Sequence, residues 1–286
     1  MRTVTTIAGM KAAVAELRTE GRTIGFVPTM GYVHEGHLSL VRESRKSADV
    51  TVVSIFVNPL QFGAQEDFRQ YPRNPERDAA LLDKEGVDIL FLPENREMYP
   101  EGYRTSIEVA GLEDKLCGRS RPGHFKGVAT VVLKLFNIVR PDYAFFGQKD
   151  AQQVVILRRM VEDLNAKVEI RAMPIIRDPD GLAMSSRNVY LSAEERRAAL
   201  VLSKSLAEAR RMFEKGERAA DPIREGLCRT IAAEPLARID YAEVVNPGSL
   251  EPVERLDGEA LVALAVYVGK TRLIDNTILG STGDKK

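Results

Sequence analysis

The sequence predicts an α/β protein in which a parallel sheet is followed by a smaller α+β part with antiparallel strands. Two observations predict the parallel sheet: short, almost uninterrupted apolar segments, and helical patterns between them. Strands that are apolar at successive positions are buried on both faces, as in sheets covered by crossover helices. A change of texture after about residue 175, towards long charged helices and a hairpin, predicts the second part.

The first part, residues 1–175, alternates helices and strands. An amphipathic helix comes first, because Ile7, Met10, Val14 and Leu17 recur with helical spacing. Apolar runs then predict strands over 23–27, 51–57, 88–92, 143–146 and 168–172. Helical periodicity predicts helices over 38–47, 75–85, 124–139 and 151–164. Because ligands of such sheets bind at the carboxyl ends of the strands, we expect functional residues in the loops that follow them.

The second part, residues 176–286, begins with two charged helical patterns. They cover 193–215 and 221–233, and Pro222 suits the first turn of the second helix. A strand over 241–245 follows. Strands over 261–268 and 271–278 flank Gly269-Lys270, a two-residue hairpin turn with glycine first. We expect residues 281–286 to be a frayed tail.

The composition is ordinary for a soluble globular protein and argues against two function classes. Of 286 residues, 44% are hydrophobic and 29% charged, with 41 basic and 41 acidic side chains. The lack of a basic excess argues against nucleic acid as the main ligand. The longest apolar stretch, 260–268, is too short to span a membrane. Cys117 and Cys228 lack motif spacing and the N-terminus lacks a signal-peptide apolar region, so we expect a cytoplasmic protein.

The segment Thr29 to His37, TMGYVHEGH, is the most informative of the chain. It joins a predicted strand to a predicted helix and carries two of the three histidines at the helix start. Free N–H groups and the positive end of the helix dipole favour an anion there, and two imidazole donors, neutral or cationic, would clamp phosphate oxygens. A polar loop or a metal site are the alternatives, although His-x-x-His without a nearby cysteine is a poor structural zinc site.

The segment GQKDAQQ, residues 147–153, follows the fourth predicted strand and opens a helix. Gly147 lets the backbone approach a ligand. Lys149 is a cation at a helix start, which is unfavourable to the dipole unless an anion is also present, so we expect it to meet phosphate. Asp150 would hold a ribose hydroxyl or cap the helix. A surface lysine and an N-cap aspartate are the alternative.

Three further segments carry weaker signals. Asn58 and Gln61 follow a strand and offer neutral amides to a small polar substrate, although Asn-Pro is equally typical of a turn. The sequence Ser185-Ser186-Arg187 follows an Asp-Pro-Asp-Gly turn and suits a mobile loop that closes on a triphosphate. The glycine-rich basic loop 118–127 contains His124 and is either a substrate lid or an ordinary loop before a helix.

Together these segments closely resemble the pantothenate synthetase (pantoate–β-alanine ligase) family, whose HxGH motif belongs to the nucleotidyl-transferring α/β superfamily. The matching stretches are 28–37, 58–63, 71–73, 118–127, 141–153 and 181–188. The resemblance implies a Rossmann-like nucleotide- and pantoate-binding domain, a C-terminal lid domain and a homodimer. It implies condensation of pantoate with β-alanine by means of ATP and Mg²⁺ in coenzyme A biosynthesis, through a pantoyl adenylate, with release of AMP and pyrophosphate. Another nucleotidyltransferase of the superfamily and a non-catalytic nucleotide-binding module are the alternatives.

The resemblance also implies roles for individual residues. His37 matches the residue usually listed as proton donor, and His34, His37, Lys149 and Arg187 form the predicted catalytic set. Gln61 and Gln153 match pantoate contacts, Gln61 also lies near the β-alanine site, and Asn58 and Tyr71 are further substrate-binding candidates. Asp78 is a candidate Mg²⁺ ligand. The predicted ATP-binding positions are Met30, Gly31, Tyr32, Val33, His34, Glu35, Gly36, His37, Gly147, Gln148, Lys149, Asp150, Ile176, Met184, Ser185, Ser186 and Arg187.

Overall fold

The computed structural model describes residues 1–64 and 66–280. The tail expected at 281–286 lies outside these residues. The described residues form a six-stranded sheet and a separate three-stranded sheet, as the sequence predicts. Within them, none of the helices combines the length and the apolar character that a membrane crossing requires. Cys117 and Cys228 are both free thiols.

The first part alternates strands and helices along residues 2–173. Its helices are α1 (Ile7–Thr19), α2 (Glu35–Ser47), α3 (Pro75–Lys84), α4 (Asn95–Met98), α5 (Cys117–Ser120), α6 (His124–Val139) and α7 (Ala151–Asp163). Its strands are β1 (Arg2–Val4), β2 (Ile24–Thr29), β3 (Val50–Ile55), β4 (Ile89–Phe91), β5 (Tyr143–Gly147) and β6 (Glu169–Met173). Short 3₁₀ turns cover Pro59–Gln61 and Gln148–Asp150.

All the helices and strands predicted for the first part are present, and the differences are short elements. Strand β1 was not predicted, because it has three residues and two of them are exposed, so it shows no apolar run. The four-residue helices α4 and α5 were also missed, since one turn is too short to show helical periodicity.

The six strands are parallel and lie in the order β1-β4-β3-β2-β5-β6. From β2 the chain continues to β3 on one side, whereas β5 and β6 lie on the other side. The strand order therefore reverses between β2 and β5. Loops that leave two such neighbouring strands diverge to opposite faces of the sheet and open a crevice at the carboxyl ends. The loop that carries His34 and leads to His37, called the histidine loop below, follows β2. The Gln148–Asp150 turn follows β5, so both segments lie at this crevice.

The second part contains α8 (Ala193–Glu214), α9 (Ala220–Ala232), β7 (Ala237–Val245), β8 (Ala260–Val268) and β9 (Thr271–Leu279). Its strands pair antiparallel in the order β7-β8-β9, and Gly269 makes the predicted hairpin turn with φ +57°. Successive side chains of a strand point to opposite faces. Accordingly Val262 and Leu264 pack in the core of the second part, whereas Leu261 and Ala263 pack against the core of the first. The strand β8 thereby joins the two parts.

Candidate active site

A cleft lies at the carboxyl ends of β2, β3 and β5, and segments 174–176 and 184–187 line its other side. The structure brings together most of the residues that the sequence predicted for the site. Those that line the cleft are Met30, His34, Gly36, His37, Asn58, Gln61, Tyr71, Gly147, Lys149, Asp150, Gln153, Ile176, Met184, Ser185, Ser186 and Arg187.

Six predicted positions lie outside this lining: Gly31, Tyr32, Val33, Glu35, Asp78 and Gln148. Val33 is fully buried in a core cluster, and Glu35 pairs with Arg42 on the outer face of α2. The amide of Gln148 donates to Asn276 Oδ1 on β9, at 3.5 Å. These positions are therefore not part of the cleft lining.

Asp78 holds the histidine loop in place, and its role as a Mg²⁺ ligand stays a prediction. Its carboxylate accepts the backbone N–H of Tyr32 at 2.6 Å and that of Val33 at 2.8 Å. Arg77 adds an ion pair at 3.2 Å, and the Asp78 side chain is 1% exposed. Tyr32 has φ +51°, a left-handed conformation that the two carboxylate bonds stabilise. Both oxygens bind backbone N–H groups, so in this structure the carboxylate supports the backbone of the loop.

The two histidines of the loop each use Nδ1 for a hydrogen bond within the loop. His34 is the N-cap of α2, and its Nδ1 accepts the N–H of Gly36 at 3.1 Å. The Nδ1 of His37 accepts the N–H of His34 at 3.4 Å, and the ring centroids lie 4.1 Å apart. An imidazole nitrogen that accepts a hydrogen bond carries no proton. Each neutral ring therefore carries its proton on Nε2 and can donate it to a ligand.

Both imidazoles are neutral at physiological pH. Burial, the charge of His37 and the charge of Lys149 lower the pKa of His34 to about 3. Burial and the charge of Lys149 lower the pKa of His37 to about 4. The sequence left neutral and cationic donors open, and the structure selects the neutral ones. A bound phosphate would partly offset the field of Lys149 and favour protonation of these rings.

Acidification should destabilise this protein through its histidines before its carboxylates titrate. Burial also lowers the pKa of His124 to about 4, so all three histidines have folded-state pKa values below the ordinary 6.5. Between pH 6.5 and 4 the unfolded chain binds protons that the folded chain does not, and stability falls as the pH falls. We expect urea unfolding midpoints to drop between pH 6.5 and 5. The drop should be smaller in a His37→Gln variant; a flat wild-type profile over this window would contradict the assignment.

Lys149 and Asp150 lie in the 3₁₀ turn between β5 and α7 and line the cleft. Among the described residues, no carboxylate forms an ion pair with Lys149, although its charge lowers the pKa of both loop histidines. Asp150 occupies the N-cap position of α7 but makes no side-chain capping bond with the described residues. The alternative of a capping aspartate is therefore not supported. A cation, two N–H donors and an uncapped helix start face one cavity, which suits an anion with several oxygens.

Gln61 and Asn58 form a buried amide pair beside this anion site. Asn58 Nδ2 donates to Gln61 Oε1 at 3.1 Å and to the Gly127 carbonyl at 3.0 Å. Asn58 Oδ1 accepts from the Tyr99 hydroxyl at 2.8 Å and from the Leu60 N–H at 3.3 Å. The amide of Asn58 is thus occupied within the protein, which favours its turn-forming role over substrate contact.

Two neighbouring glutamines in the first turn of α7, Gln152 and Gln153, lie in different environments. Gln152 is buried, and its amide bonds to the backbone of Leu112, Lys115 and Cys117. Gln153 lines the cleft, and within the described residues its side chain has no hydrogen-bond partner. Since an amide can make several hydrogen bonds, Gln153 is available to a polar ligand.

Residues 185–187 reach the cleft from the second part and are already anchored to the first. Arg187 forms a bidentate ion pair with Asp67, with Nε and Nη2 each 2.9 Å from a carboxylate oxygen. Its guanidinium also lies 5.6 Å from the centroid of the Tyr71 ring. Ser186 Oγ donates to the Tyr32 carbonyl at 3.4 Å. The pKa of Tyr71 is raised by burial, so its hydroxyl stays protonated as a donor. The Arg187–Asp67 pair was not predicted, because 120 positions separate the two residues.

Arg121 and His124 also line the cleft; from the sequence they belong to a glycine-rich basic loop that is either a substrate lid or an ordinary loop before a helix. The Nδ1–H of His124 donates to the Gln61 carbonyl at 2.8 Å, so its Nε2 accepts from Arg121 Nη1 at 3.0 Å. Helix α6 approaches the Pro59–Gln61 turn closely because residue 127 is glycine. A Cβ atom there would collide with the Leu60 carbonyl group. The signal for both residues was the glycine-rich basic loop, whose position beside Gln61 only the tertiary structure reveals.

Comparison with known proteins identifies the family. A family model described as pantoate-beta-alanine ligase matches residues 2–278. A pantothenate synthetase of Heliobacterium modesticaldum is 60% identical over 279 residues, which cover 98% of this chain and 99% of the relative. Two solved structures also match over nearly their whole length. Pantothenate synthetase from Thermus thermophilus superposes with a TM-score of 0.93 at 46% identity, covering 97% of this chain and 99% of that one. Pantoate-beta-alanine ligase from Francisella tularensis, complexed with beta-gamma ATP and beta-alanine, gives 0.80 at 34% identity, with 97% of each chain covered.

Proposed function

The chain belongs to the pantoate–β-alanine ligase family, which condenses pantoate with β-alanine by means of ATP, and we propose that its strand-end cleft does so through a pantoyl adenylate. The observation that carries this proposal is the convergence of Lys149 with the Nε2–H groups of His34 and His37 between β2 and β5. This arrangement suits a nucleotide α-phosphate, and the amides of Gln61 and Gln153 suit a small hydroxy acid.

In the first proposed step, a carboxylate oxygen of pantoate attacks the α-phosphorus of ATP. The bond between the α-phosphorus and the oxygen bridging to the β-phosphorus breaks, and pyrophosphate leaves. Negative charge grows on the phosphate oxygens, where Lys149 and the two histidines donate. Neutral histidine donors strengthen with this charge and need no proton transfer. Positioning pantoate against the α-phosphate is the task of Gln61 and Gln153.

In the second proposed step, the amine of β-alanine attacks the acyl carbon of the adenylate. The bond from the acyl carbon to the phosphate oxygen breaks, AMP leaves with the bonding electron pair, and the amine nitrogen gives a proton to solvent to form the amide. Oxygen labelling tests this order of events. With ¹⁸O in the pantoate carboxylate, we expect one labelled oxygen in AMP. Unlabelled AMP would exclude the adenylate, and pyrophosphate release with no AMP formed even when β-alanine is present would indicate a transferase that stops after the first step.

Replacement of Gln153 should affect pantoate far more than ATP. The Gln153→Ala change leaves a polar group of the substrate unpaired, which costs on the order of 1–3 kcal/mol, or about 10- to 100-fold in the KM for pantoate. Gln152→Ala is an unsuitable control because that amide supports the fold. Gln148→Ala, on the same turn but facing β9, is the matched control. A larger effect on the KM for ATP than on that for pantoate would contradict this assignment of the pocket.

We propose that residues 176–286 act as a lid over the cleft. When ATP binds, a phosphate of ATP replaces the Asp67 carboxylate as the partner of the Arg187 guanidinium. Arg187→Ala should raise the KM for ATP about 10-fold, since a charge-assisted contact is lost. Asp67→Asn should lower it, because the competing carboxylate is removed. Interdomain fluorescence transfer with a non-hydrolysable ATP analogue should report closure in the wild type and weaker closure in Arg187→Ala. Equal closure in both proteins would show that Arg187 is not the latch.

Mg²⁺, a homodimer and a cytoplasmic location complete the proposal. Among the described residues, no cluster of three His, Cys, Asp or Glu side chains could hold a metal, and the carboxylate of Asp78 already accepts two backbone N–H groups. The protein thus offers a poor site for a resident ion, and we propose that Mg²⁺ arrives on the ATP phosphates. Titration of Mg²⁺ against ATP turnover, sedimentation velocity and cell fractionation test the three points separately.

A further inference from the structure

Arg121 is a cation of the cleft that the proposed reaction leaves without a task. Lys149 and Arg187 are assigned to phosphates, whereas Arg121 lies on the other side, next to the Gln61 turn. Its Nε and Nη2 hold the Glu66 carboxylate at 2.8 and 2.6 Å, and its side chain is 14% exposed. Arg121 and Gln153 both line the cleft and a second, adjoining cavity. The arginine is therefore within the substrate region and not on the outer surface.

The surroundings of Arg121 fix the plane of its guanidinium. Nη1 donates to His124 Nε2 at 3.0 Å, and Nη2 also approaches the Gln61 carbonyl at 3.4 Å. His124 begins α6 and is anchored through its own Nδ1–H to the same carbonyl. The edge formed by Nε and Nη2 is thereby presented in the geometry that binds a carboxylate through two parallel hydrogen bonds. Glu66 occupies that edge and demonstrates that a carboxylate fits it.

We propose that Arg121 binds the carboxylate of β-alanine and that Glu66 occupies this position until the amino acid enters. This inference rests on the proposed function. After the first step the pantoate carboxylate has become an acyl group, so the carboxylate of β-alanine is the new anion that the cleft must recognise. Two methylene groups separate that carboxylate from the attacking amine. Its receptor must therefore lie beside the pantoate pocket, where the contact of Arg121 with the Gln61 carbonyl places it.

Glu66 suits the part of an exchangeable partner. It lies in the segment between the Pro59–Gln61 turn and Tyr71, and its side chain is 25% exposed. Burial opposes its ionisation, but the hydrogen bonds and charge of Arg121 outweigh burial and lower the pKa of the carboxyl. The ionised carboxylate can leave to water when a second carboxylate arrives. Arg121 thus has one bidentate ion pair before the exchange, with Glu66, and one after it, with the carboxylate of β-alanine.

The decisive experiment compares two amines with Arg121→Gln. Preformed pantoyl adenylate on the enzyme is mixed with β-alanine or with propylamine, which lacks the carboxylate, and AMP release is followed. We expect kcat/KM for β-alanine to fall about 10- to 100-fold while that for propylamine changes little. Arg119→Gln is the matched control, because Arg119 lies in the same loop, is 58% exposed and pairs with Glu243. Equal losses with both amines would mean that Arg121 only shapes the pocket, and would overturn the proposal.

A second variant keeps the test decisive if Arg121→Gln does not fold. Glu66→Gln removes the competing charge and should lower the KM for β-alanine several-fold. An unchanged or raised KM would overturn the proposal. Pyrophosphate release from ATP and pantoate alone is measured in each variant. If the wild type releases no pyrophosphate from ATP and pantoate, the proposed function itself is refuted. If it does, but the Arg121→Gln variant keeps the wild-type preference for β-alanine over propylamine, this inference alone is refuted.

Discussion

Replacing Lys149 with alanine should lower the rate of pyrophosphate release by about 10²–10³-fold, the typical loss when a fixed donor to a developing anion is removed. Lys149 faces the cleft, and within the described part of the chain no carboxylate neutralises it. Its charge is thus available to the α-phosphate at the moment of transfer. Single-turnover measurements with ATP and pantoate isolate this step from the later attack by the amine.

The pKa of His37 in the Lys149→Ala variant gives a second test of the electrostatic effect of Lys149. The charge of Lys149 lowers the pKa of both loop histidines, second only to burial for His37, so the pKa of His37 should rise from about 4 when the charge is removed. Histidine proton resonances followed by pH titration measure this shift. Lys46→Ala is the control, because Lys46 is an exposed lysine on α2 paired with Glu43. A wild-type rate of pyrophosphate release in Lys149→Ala would remove the lysine from the phosphate site.

Replacing His37 with alanine should have a similarly large effect, and glutamine should restore part of the activity. The structure gives His37 a neutral ring with its proton on Nε2, so its contribution is a hydrogen bond to phosphate. Loss of that bond is expected to cost about 10²–10³-fold. A glutamine amide can place an N–H near the position of Nε2, whereas alanine leaves the oxygen without a donor.

The pH dependence of the first step distinguishes a neutral donor from an acid. With a pKa of about 4 in the free enzyme, His37 should produce no loss of kcat/KM between pH 6 and 8. A rate that falls as the pH rises through this window, together with an inactive His37→Gln protein, would contradict the neutral donor. It would support the role of proton donor that the sequence resemblance implies.

The order of the longer helices and strands could be predicted from the sequence. Apolar runs and helical periodicity predicted α6 at its observed bounds, and Gly269-Lys270 predicted the hairpin of the second part. The two loop histidines were found for the same reason. They lie on one turn of a helix that follows a strand, so local spacing already places them together. Elements of three or four residues, such as β1, α4 and α5, carry too few positions for any pattern to show.

Contacts between distant segments and the effects of burial were decided by the tertiary structure alone. Asp78 supports the histidine loop across 46 positions, and Arg121 meets Glu66 across 55, separations at which no local pattern operates. The protonation states of the histidines follow from burial and from the field of Lys149, which exist only after folding. Sequence periodicity determines which residues form each element because it acts between neighbours. The partner and the charge of a side chain depend on what the fold brings against it and on how much water it removes.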